Sequence, residues 1–318
     1  MGALAFLELE EGAVKKSSLE AVSYAAGAAD SVTAIAFGKL SDEEVSKVGN
    51  AGANKVLQAT DDQLATPNIM AYASAIAEAM SQENADLLVM AKSSLGDPVS
   101  ARVAIKTGAS LATNVVALPD LSDGFKVKCS IYTGKAFAIT KLKGDKRILG
   151  IKKNAVPVKE DGGAATVESF SPTINEGDFK VKVTSSEKAT GEILLPEADL
   201  VVSAGRGLKG PENWGMVEEL AKTIGAATGC SKPVSDMDWR PHHEHVGQTG
   251  IKVSPSLYIA IGISGAIQHL AGVNSSKYIL VINKDEEAPF FKAADYGVVG
   301  DAFEVVPRLT EAIKAQQG

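Results

Sequence analysis

The segment SLYIAIGISGAIQHLAG, residues 256–272, passes from an apolar run through a glycine turn into residues with helical spacing. The apolar run predicts a strand, Gly262 and Gly265 predict the turn, and the residues after it predict a short helix. A strand that enters a helix through such a turn is a building unit of parallel α/β sheets. The segment therefore indicates an α/β fold for the region around it.

The glycine turn allows more than one function. It is close to the Gly-x-Ser-x-Gly elbow of hydrolases, but Ala266 stands in place of the last glycine. His269 follows Ser264 too closely in the chain to face it across a site as a triad base. The alternative is anion binding by backbone N–H groups and the Ser264 hydroxyl, although the Gly-x-Gly-x-x-Gly pattern of NAD-binding folds is not present. Tight packing alone is a third explanation of the glycines.

The sequence on both sides of this segment repeats the strand–turn pattern. Residues 198–210 (ADLVVSAGRGLKG) predict a strand and a glycine turn, followed by a helix from about Pro211 to Gly225. Residues 277–289 (KYILVINKDEEAP) predict another strand, and the last helix is predicted to begin near Pro307. Loops at the carboxyl ends of parallel strands line the ligand crevice. We therefore expect these side chains to lie together: Arg206, Ser264, His269, Asn283 and Lys284.

The first part of the chain alternates strand and helix patterns and then becomes rich in strands. Strands are predicted at 3–9, 32–38, 55–60 and 85–91, and helices at 17–29 and 67–82. Later, residues 125–144 predict a hairpin, and residues 147–153 and 179–188 predict two further strands. Residues 161–178 predict a polar loop.

Together these patterns predict an α/β protein of two domains. The N-terminal domain, residues 1–190, is expected to hold a parallel sheet with an added β-hairpin section. The C-terminal domain, residues 191–318, is expected to hold a doubly wound parallel sheet.

Composition narrows the class of partner. The 318 residues are 45% hydrophobic and 22% charged, which suits two globular domains, and the formal net charge of -7 argues against nucleic acid as the main partner. The N-terminal sequence has no signal-peptide or transit-peptide pattern, and no apolar segment is long enough to span a bilayer. Cys129 and Cys230 form no Cys-x-x-Cys motif. We expect a soluble, cytoplasmic protein without stable membrane insertion.

A histidine-rich segment invites a metal interpretation. The sequence HHEH at residues 242–245 matches neither the His-Glu-x-x-His motif nor a zinc-finger spacing, so we predict no metal site. The following letters VGQTG, at 246–250, offer backbone amides, an amide side chain and a hydroxyl in a glycine-flanked loop. Such a loop can hydrogen-bond the polar edge of a ring.

Five motifs of the second half resemble one family. They are SAGRGLKGPENW, VGQTG, LYIAIGISGAIQHLAG, INKDEEAPFFKAADYGVVGD and VVPRLTEAIK, in this order. In order and spacing they resemble the alpha subunit of electron transfer flavoprotein. The first half is similar more loosely, through ADLLVMAKSSLGDPVSARVA and YTGKAFAITKLK.

The resemblance implies a heterodimer in which the alpha subunit's C-terminal domain holds one FAD and the beta subunit covers it, with the N-terminal domain packed on the beta subunit. It implies an electron carrier of fatty acid β-oxidation and not an enzyme, with no catalytic residue of its own. Electrons would come from acyl-CoA dehydrogenases or other flavin dehydrogenases and pass to a quinone oxidoreductase. A subunit of an electron-bifurcating flavoprotein and a non-catalytic nucleotide-binding scaffold subunit remain as alternatives.

The resemblance also implies the cofactor-binding residues. Thr249 would bond the flavin N5 atom, His269 would approach the pyrimidine carbonyl, and the Ser264 turn would face the pyrophosphate, with Asn283 and Asp301 toward the adenosine. The full implied set is Arg206, Ser231, Lys232, Val246, Gly247, Gln248, Thr249, Ser264, Gly265, Ala266, Ile267, Gln268, His269, Asn283, Asp301 and Ala302. Lys232 departs from the family pattern, which has arginine there, so the positive charge is kept but the planar fork is lost.

Overall fold

The chain folds into two compact units, Met1–Ser186 and Glu187–Gly318. The computed structural model describes residues 1–134, 136–181, 183–184, 194–196 and 198–317. Each unit is a sheet with helices packed on it, so the predicted two-part α/β fold is confirmed.

The first unit contains a nine-stranded sheet in the order β11-β5-β4-β1-β6-β10-β7-β8-β9. The strands run parallel except for the pairs β7–β8 and β8–β9 at one edge, which are antiparallel. The elements are β1 Gly2–Leu7, β2 Leu9–Glu10, β3 Ala13–Val14, α1 Lys16–Ala28, β4 Ser31–Phe37, α2 Asp42–Asn50, β5 Lys55–Ala59, α3 Ile69–Gln82, β6 Ala85–Ala91, α4 Gly96–Thr107, β7 Ser110–Val115, β8 Phe125–Ile131, β9 Ala136–Leu142, β10 Arg147–Ile151 and β11 Thr166–Ser169.

Strand β1 shows why this sheet is covered on both faces. Ala5 and Leu7 point into one apolar core, which also takes the buried face of α1, while Leu4 and Phe6 point into a second core with α3 and α4. Because neighbouring strand residues point to opposite faces, a strand that is apolar throughout has to be buried on both sides.

Two details of the first unit differ from the sequence prediction. Residues 161–178, predicted as a loop, contain β11, whose four residues are all exposed and therefore lack an apolar pattern. The predicted strand at 179–188 is wrong where it is described, since Glu176–Phe179 is a 3-10 turn and no strand follows in 180–181 or 183–184. The rest of that prediction lies outside the described residues. The strand predicted at 147–153 is confirmed as β10, which pairs in parallel with β6 and β7.

The second unit contains a five-stranded sheet in the order β13-β12-β14-β15-β16, and all four strand pairs are parallel. A doubly wound parallel sheet was predicted here and is confirmed. The elements are β12 Leu200–Ala204, α5 Gly215–Ile224, β13 Ala227–Cys230, α6 Lys232–Asp236, β14 Leu257–Ile261, α7 Ile267–Val273, β15 Tyr278–Asn283, β16 Tyr296–Val299 and α8 Ala302–Gln317.

Strand β14 separates the two apolar cores of this unit. Ile259 and Ile261 pack with residues of α5 and α8 on one face, while Tyr258 and Ala260 pack with Val273 of α7 on the other. Helices thus cover both faces of the sheet, which leaves the ends of the strands as the exposed edge at which a ligand can bind.

The last helix begins earlier than predicted. It starts at Ala302, and Pro307 lies inside it. The Asp301 carboxylate accepts a hydrogen bond from the Phe303 N–H at 2.9 Å, and its backbone carbonyl accepts from Glu304 and Val305. These bonds to Asp301 set the helix start, so the proline marks the second turn and not the first.

Candidate functional site

The candidate site lies where the strand order of the second unit reverses. The chain goes from β12 outward to β13 and then returns to the other side of β12 to form β14. In open parallel sheets, ligands bind at such a reversal, beyond the carboxyl ends of the two strands. Here those ends lead into Gly205–Arg206–Gly207 and into Gly262–Ile263–Ser264.

These two glycine loops touch through their backbones. The Gly205 N–H donates to the Ile261 carbonyl at 2.9 Å, and the Gly207 N–H donates to the Gly262 carbonyl at 3.1 Å. A Cβ atom on Gly205 would lie 2.4 Å from that Gly262 oxygen. Gly262 itself has φ +59°, a conformation that side-chain-bearing residues rarely adopt, and its own Cβ would lie 2.8 Å from the Gly207 Cα. We call this pair of segments the interlocked glycine loops.

The turn after β14 presents free backbone donors. Gly265 has φ +84°, and a Cβ there would lie 2.5 Å from the Phe290 nitrogen, whose N–H donates to the Ser264 carbonyl at 3.1 Å. In the described part of the chain, the N–H groups of Ser264, Gly265 and Ala266 donate to no protein acceptor. Because Ser264 and Ala266 are exposed, this run of amides is available to an anionic ligand.

Residues 246–250 are fixed beside the same turn. The Val246 N–H donates to the Cys230 carbonyl at 2.9 Å, and the Gln248 N–H donates to the Gln268 carbonyl at 2.7 Å. A Cβ on Gly272 would lie 2.6 Å from the Gly247 Cα, so α7 and this loop also meet backbone to backbone. The contacts leave the side chains of Gln248 and Thr249 exposed at this edge.

His269 is a buried histidine with one unused nitrogen. Its side chain is 6% exposed, its Nε2 atom lies 2.9 Å from the Tyr258 hydroxyl, and its ring meets the Phe290 ring edge-on at 5.7 Å. Burial, and secondarily the nearby His245, lower the pKa of His269 to about 4. The Val246 backbone opposes this shift. Within the described residues, Nδ1 has no hydrogen-bond partner.

The other predicted residues lie on the same edge of the sheet. Ser231 and Lys232 follow β13, and the Lys232 ammonium bonds the Asp236 carboxylate at 3.0 Å on the exposed start of α6. Asn283 ends β15, where its side-chain amide donates to the Ile263 carbonyl at 3.1 Å. The structure thus places the following residues at the carboxyl end of a strand or within three residues of it: Arg206, Ser231, Lys232, Ser264, Asn283, Asp301 and Ala302.

The histidine-rich segment makes protein contacts. The His242 Nδ1 atom lies 2.8 Å from the Ser235 hydroxyl. The buried Glu244 carboxylate accepts from the Arg240 Nε atom at 2.9 Å, and Arg240 also bonds Glu218 at 2.8 Å. These contacts tie the segment to α5 and α6.

Sequence reasoning missed the residues behind His269. Tyr258 and Phe290 are fully buried, and their rings stack at 6.4 Å. The one available signal was a tyrosine within a strand that is otherwise aliphatic, because a buried hydroxyl requires a hydrogen-bond partner. The identity of that partner depends on how α7 packs on the sheet.

The strand order and the donor-rich carboxyl edge define the second unit as a doubly wound domain that binds a nucleotide cofactor. Residues 3–175 match the electron transfer flavoprotein domain, and residues 194–274 match the electron transfer flavoprotein FAD-binding domain. The chain belongs to the electron transfer flavoprotein family, as an alpha-subunit-type member with an electron-transfer role.

Similar proteins cover the whole chain. A protein of Syntrophomonas wolfei subsp. wolfei is 37% identical over 315 residues, which cover 98% of this chain and 99% of that protein. One of Bacillus subtilis (strain 168) is 36% identical over 315 residues, with 96% and 95% covered. One of Mycobacterium tuberculosis (strain ATCC 25618 / H37Rv) is 39% identical over 322 residues, with 99% of each covered. All three are named electron transfer flavoprotein subunit alpha.

The residues present fit the FAD that this domain type binds. The free amides at Ser264–Ala266 suit a negatively charged pyrophosphate, and the unused Nδ1 of His269 suits a polar atom at the edge of a flavin ring.

Among the helices of the described ranges, none combines the length and apolar composition that crossing a bilayer requires.

Proposed function

We propose that this chain is the FAD-carrying subunit of a heterodimeric electron carrier. It accepts electrons from acyl-CoA dehydrogenases or other flavin dehydrogenases and passes them to a quinone oxidoreductase, as in fatty acid β-oxidation. The observation that carries the proposal is the turn after β14, where the backbone N–H groups of Ser264, Gly265 and Ala266 donate to no acceptor in the described part of the chain. The relatives' name, subunit alpha, supports a beta-subunit partner. The cytoplasmic location stays a prediction.

FAD would supply the redox chemistry, and the protein would bind and orient it. The amides of the Ser264 turn hold the pyrophosphate, while Thr249 and His269 bond the polar edge of the flavin. Asn283 ends β15 and Asp301 follows the neighbouring strand β16. Both would bind the adenosine end. The remaining binding residues are those of the carboxyl edge: Arg206, Ser231, Lys232, Val246, Gly247, Gln248, Gly265, Ala266, Ile267, Gln268 and Ala302.

The first unit is proposed to pack on the beta subunit. Its edge strand β9 exposes Phe137 and Ile139, at 54% and 67%, and Tyr132 before it is 78% exposed. Exposed apolar side chains on an edge strand are unusual in a chain that acts alone. We expect the Phe137→Glu variant to lose the heterodimer, as measured by size-exclusion chromatography. Val167→Glu, on the opposite edge strand β11, is the matched control and should still pair.

The carrier proposal predicts reduction without substrate turnover. The heterodimer, purified with its flavin, should be reduced by a flavin dehydrogenase together with that enzyme's substrate. It should not oxidise the substrate when the dehydrogenase is left out. Turnover by the heterodimer alone would contradict the proposal.

A count of flavin distinguishes the simple carrier from an electron-bifurcating protein. We expect one FAD per heterodimer, measured from flavin absorbance after denaturation against total protein. Two FAD molecules would favour the bifurcating alternative. A purified heterodimer with no flavin, even after addition of FAD, would favour the scaffold alternative.

Lys232 is proposed to tune the flavin through its charge. Its side chain is 58% exposed and its ammonium is held by Asp236, so it can approach an anionic ring from the start of α6. In place of arginine, it offers a point charge without the planar fork. Lys232→Arg should therefore change the two one-electron potentials of the bound flavin, measured by spectroelectrochemistry. Lys222→Arg, in the last turn of α5, is the matched control. Unchanged potentials in Lys232→Arg would contradict the proposal.

A further inference from the structure

A buried hydroxyl lies behind the candidate flavin contact. Tyr258 is on β14, its residue is 0% exposed, and its hydroxyl lies 2.9 Å from the His269 Nε2 atom. The tyrosine ring stacks on Phe290, which fixes the direction of the hydroxyl.

We propose that Tyr258 is a positioning residue that keeps the proton of His269 on Nδ1, so that Nδ1–H donates to a carbonyl oxygen of the bound cofactor. The second half of this proposal rests on the proposed role of His269 beside FAD. The first half concerns only this chain and holds with or without the cofactor.

The hydroxyl proton decides the tautomer. Among the described residues, the Tyr258 hydroxyl has one well-aligned partner, the Nε2 atom of His269. Ser203 is also fully buried and lowers the pKa of Tyr258 against the larger effect of burial, but among the described residues its hydroxyl makes no hydrogen bond within ordinary distance and angle limits. If Nε2 carried the proton, the tyrosine proton would be left buried without an acceptor, which is unfavourable. Tyr258 therefore donates to Nε2, and the ring proton is on Nδ1.

Both groups stay neutral at ordinary pH. Burial lowers the pKa of His269 to about 4 and raises the pKa of Tyr258 well above its usual value. A neutral imidazole has one donor and one acceptor nitrogen, and Tyr258 uses the acceptor. The remaining group, Nδ1–H, is a donor without a protein partner in the described residues. The ligand atom that completes it has to be an acceptor, such as a ring carbonyl oxygen.

The tautomer can be measured directly by nitrogen NMR on the heterodimer with ¹⁵N-labelled histidine. The spectrum is recorded with FAD bound and after FAD removal, and His269→Gln identifies the His269 signals by their loss. In the wild type without FAD, we expect an unprotonated Nε2 and a protonated Nδ1. A protonated Nε2 overturns the proposal without any variant at Tyr258.

Tyr258→Phe removes the hydroxyl and keeps the ring stacked on Phe290. We expect a mixture of both His269 tautomers, and an FAD dissociation constant about three- to tenfold higher, because one neutral hydrogen bond is lost or misdirected. Tyr278→Phe, on the neighbouring strand with a 44% exposed side chain, is the matched control and should change neither quantity. Ser203→Ala should keep the wild-type tautomer.

The outcomes separate the two halves of the proposal. The role of Tyr258 is overturned if the Tyr258→Phe variant retains a pure Nδ1–H tautomer of His269. It is also overturned if the Ser203→Ala variant loses that tautomer. A mixed tautomer together with unchanged FAD affinity overturns the contact between Nδ1–H and the cofactor. A wild-type heterodimer that binds no FAD contradicts the proposed function, while the tautomer measurement still tests the role of Tyr258.

Discussion

The buried histidine predicts how the second unit responds to acid. Because the pKa of His269 is lowered from 6.5 to about 4, the unfolded chain binds more protons than the folded chain between these values. The stabilisation is therefore fully present above pH 6.5 and is lost as the pH falls toward 4. Between pH 7.5 and 5, this one group removes about 2 kcal/mol from the free energy of unfolding.

Tryptophan fluorescence isolates this effect. Both tryptophans of the chain, Trp214 and Trp239, lie in the second unit, so urea denaturation followed by their emission reports that unit. Burial also lowers the pKa of His245, so the comparison has to be between variants and not between pH values alone. His269→Gln should lose about 2 kcal/mol less than the wild type between pH 7.5 and 5.

The control is an exposed histidine of the same unit. His243→Gln should show the wild-type difference between the two pH values, because its side chain is exposed. If the wild type and His269→Gln lose the same free energy of unfolding within about 0.5 kcal/mol, the depressed pKa of the buried ring is refuted.

Three further predictions concern the same unit. Gly265→Ala should lower the free energy of unfolding of the second unit by at least about 2 kcal/mol in urea denaturation, because Gly265 has a positive φ and the added Cβ would overlap the Phe290 backbone. Gly215→Ala is the control, since no atom lies within 4 Å of its added Cβ. It should leave the free energy of unfolding equal or about 0.5 kcal/mol higher. Cys230 should not react with an aromatic disulfide reagent at pH 8 until urea is added, since burial raises the pKa of its thiol to about 12; reaction in the native state would contradict this. Arg240→Met should cost about 3 kcal/mol of unfolding free energy, because it leaves the Glu244 carboxylate buried without its cation; a loss below about 1 kcal/mol would argue against the pair.

The parts of the fold that were predictable are those with strong apolar periodicity. Strands β12, β14 and β15 are mostly aliphatic, as expected for strands of a sheet covered on both faces, and this pattern can be read from the sequence alone. Strands β11 and β16 are exposed along their whole length, so only pairing with a neighbour defines them. The start of α8 was misplaced because a proline was given more weight than the Asp301 side chain.

The location of the candidate site was predictable from the sequence, but the contacts between its side chains were not. Glycine-rich and polar residues at the ends of successive strands were enough to place Arg206, Ser264 and Asn283 along one edge of the sheet, because the carboxyl ends of parallel strands share an edge. The position of residues 246–250 was expected only from the family resemblance. The contact between Tyr258 and His269 depends on the packing of α7, which no local pattern reports.

The interlocked glycine loops also limit how this sequence can change. Because the backbones of Gly207 and Gly262 lie in van der Waals contact, a side chain gained in one loop has no room unless the other loop shifts at the same time. The two segments, more than 50 residues apart in the chain, are therefore expected to behave as one unit of mutational tolerance. A mutant library that varies either loop alone should yield few folded members, and one that varies the exposed residues 284–287 should yield many.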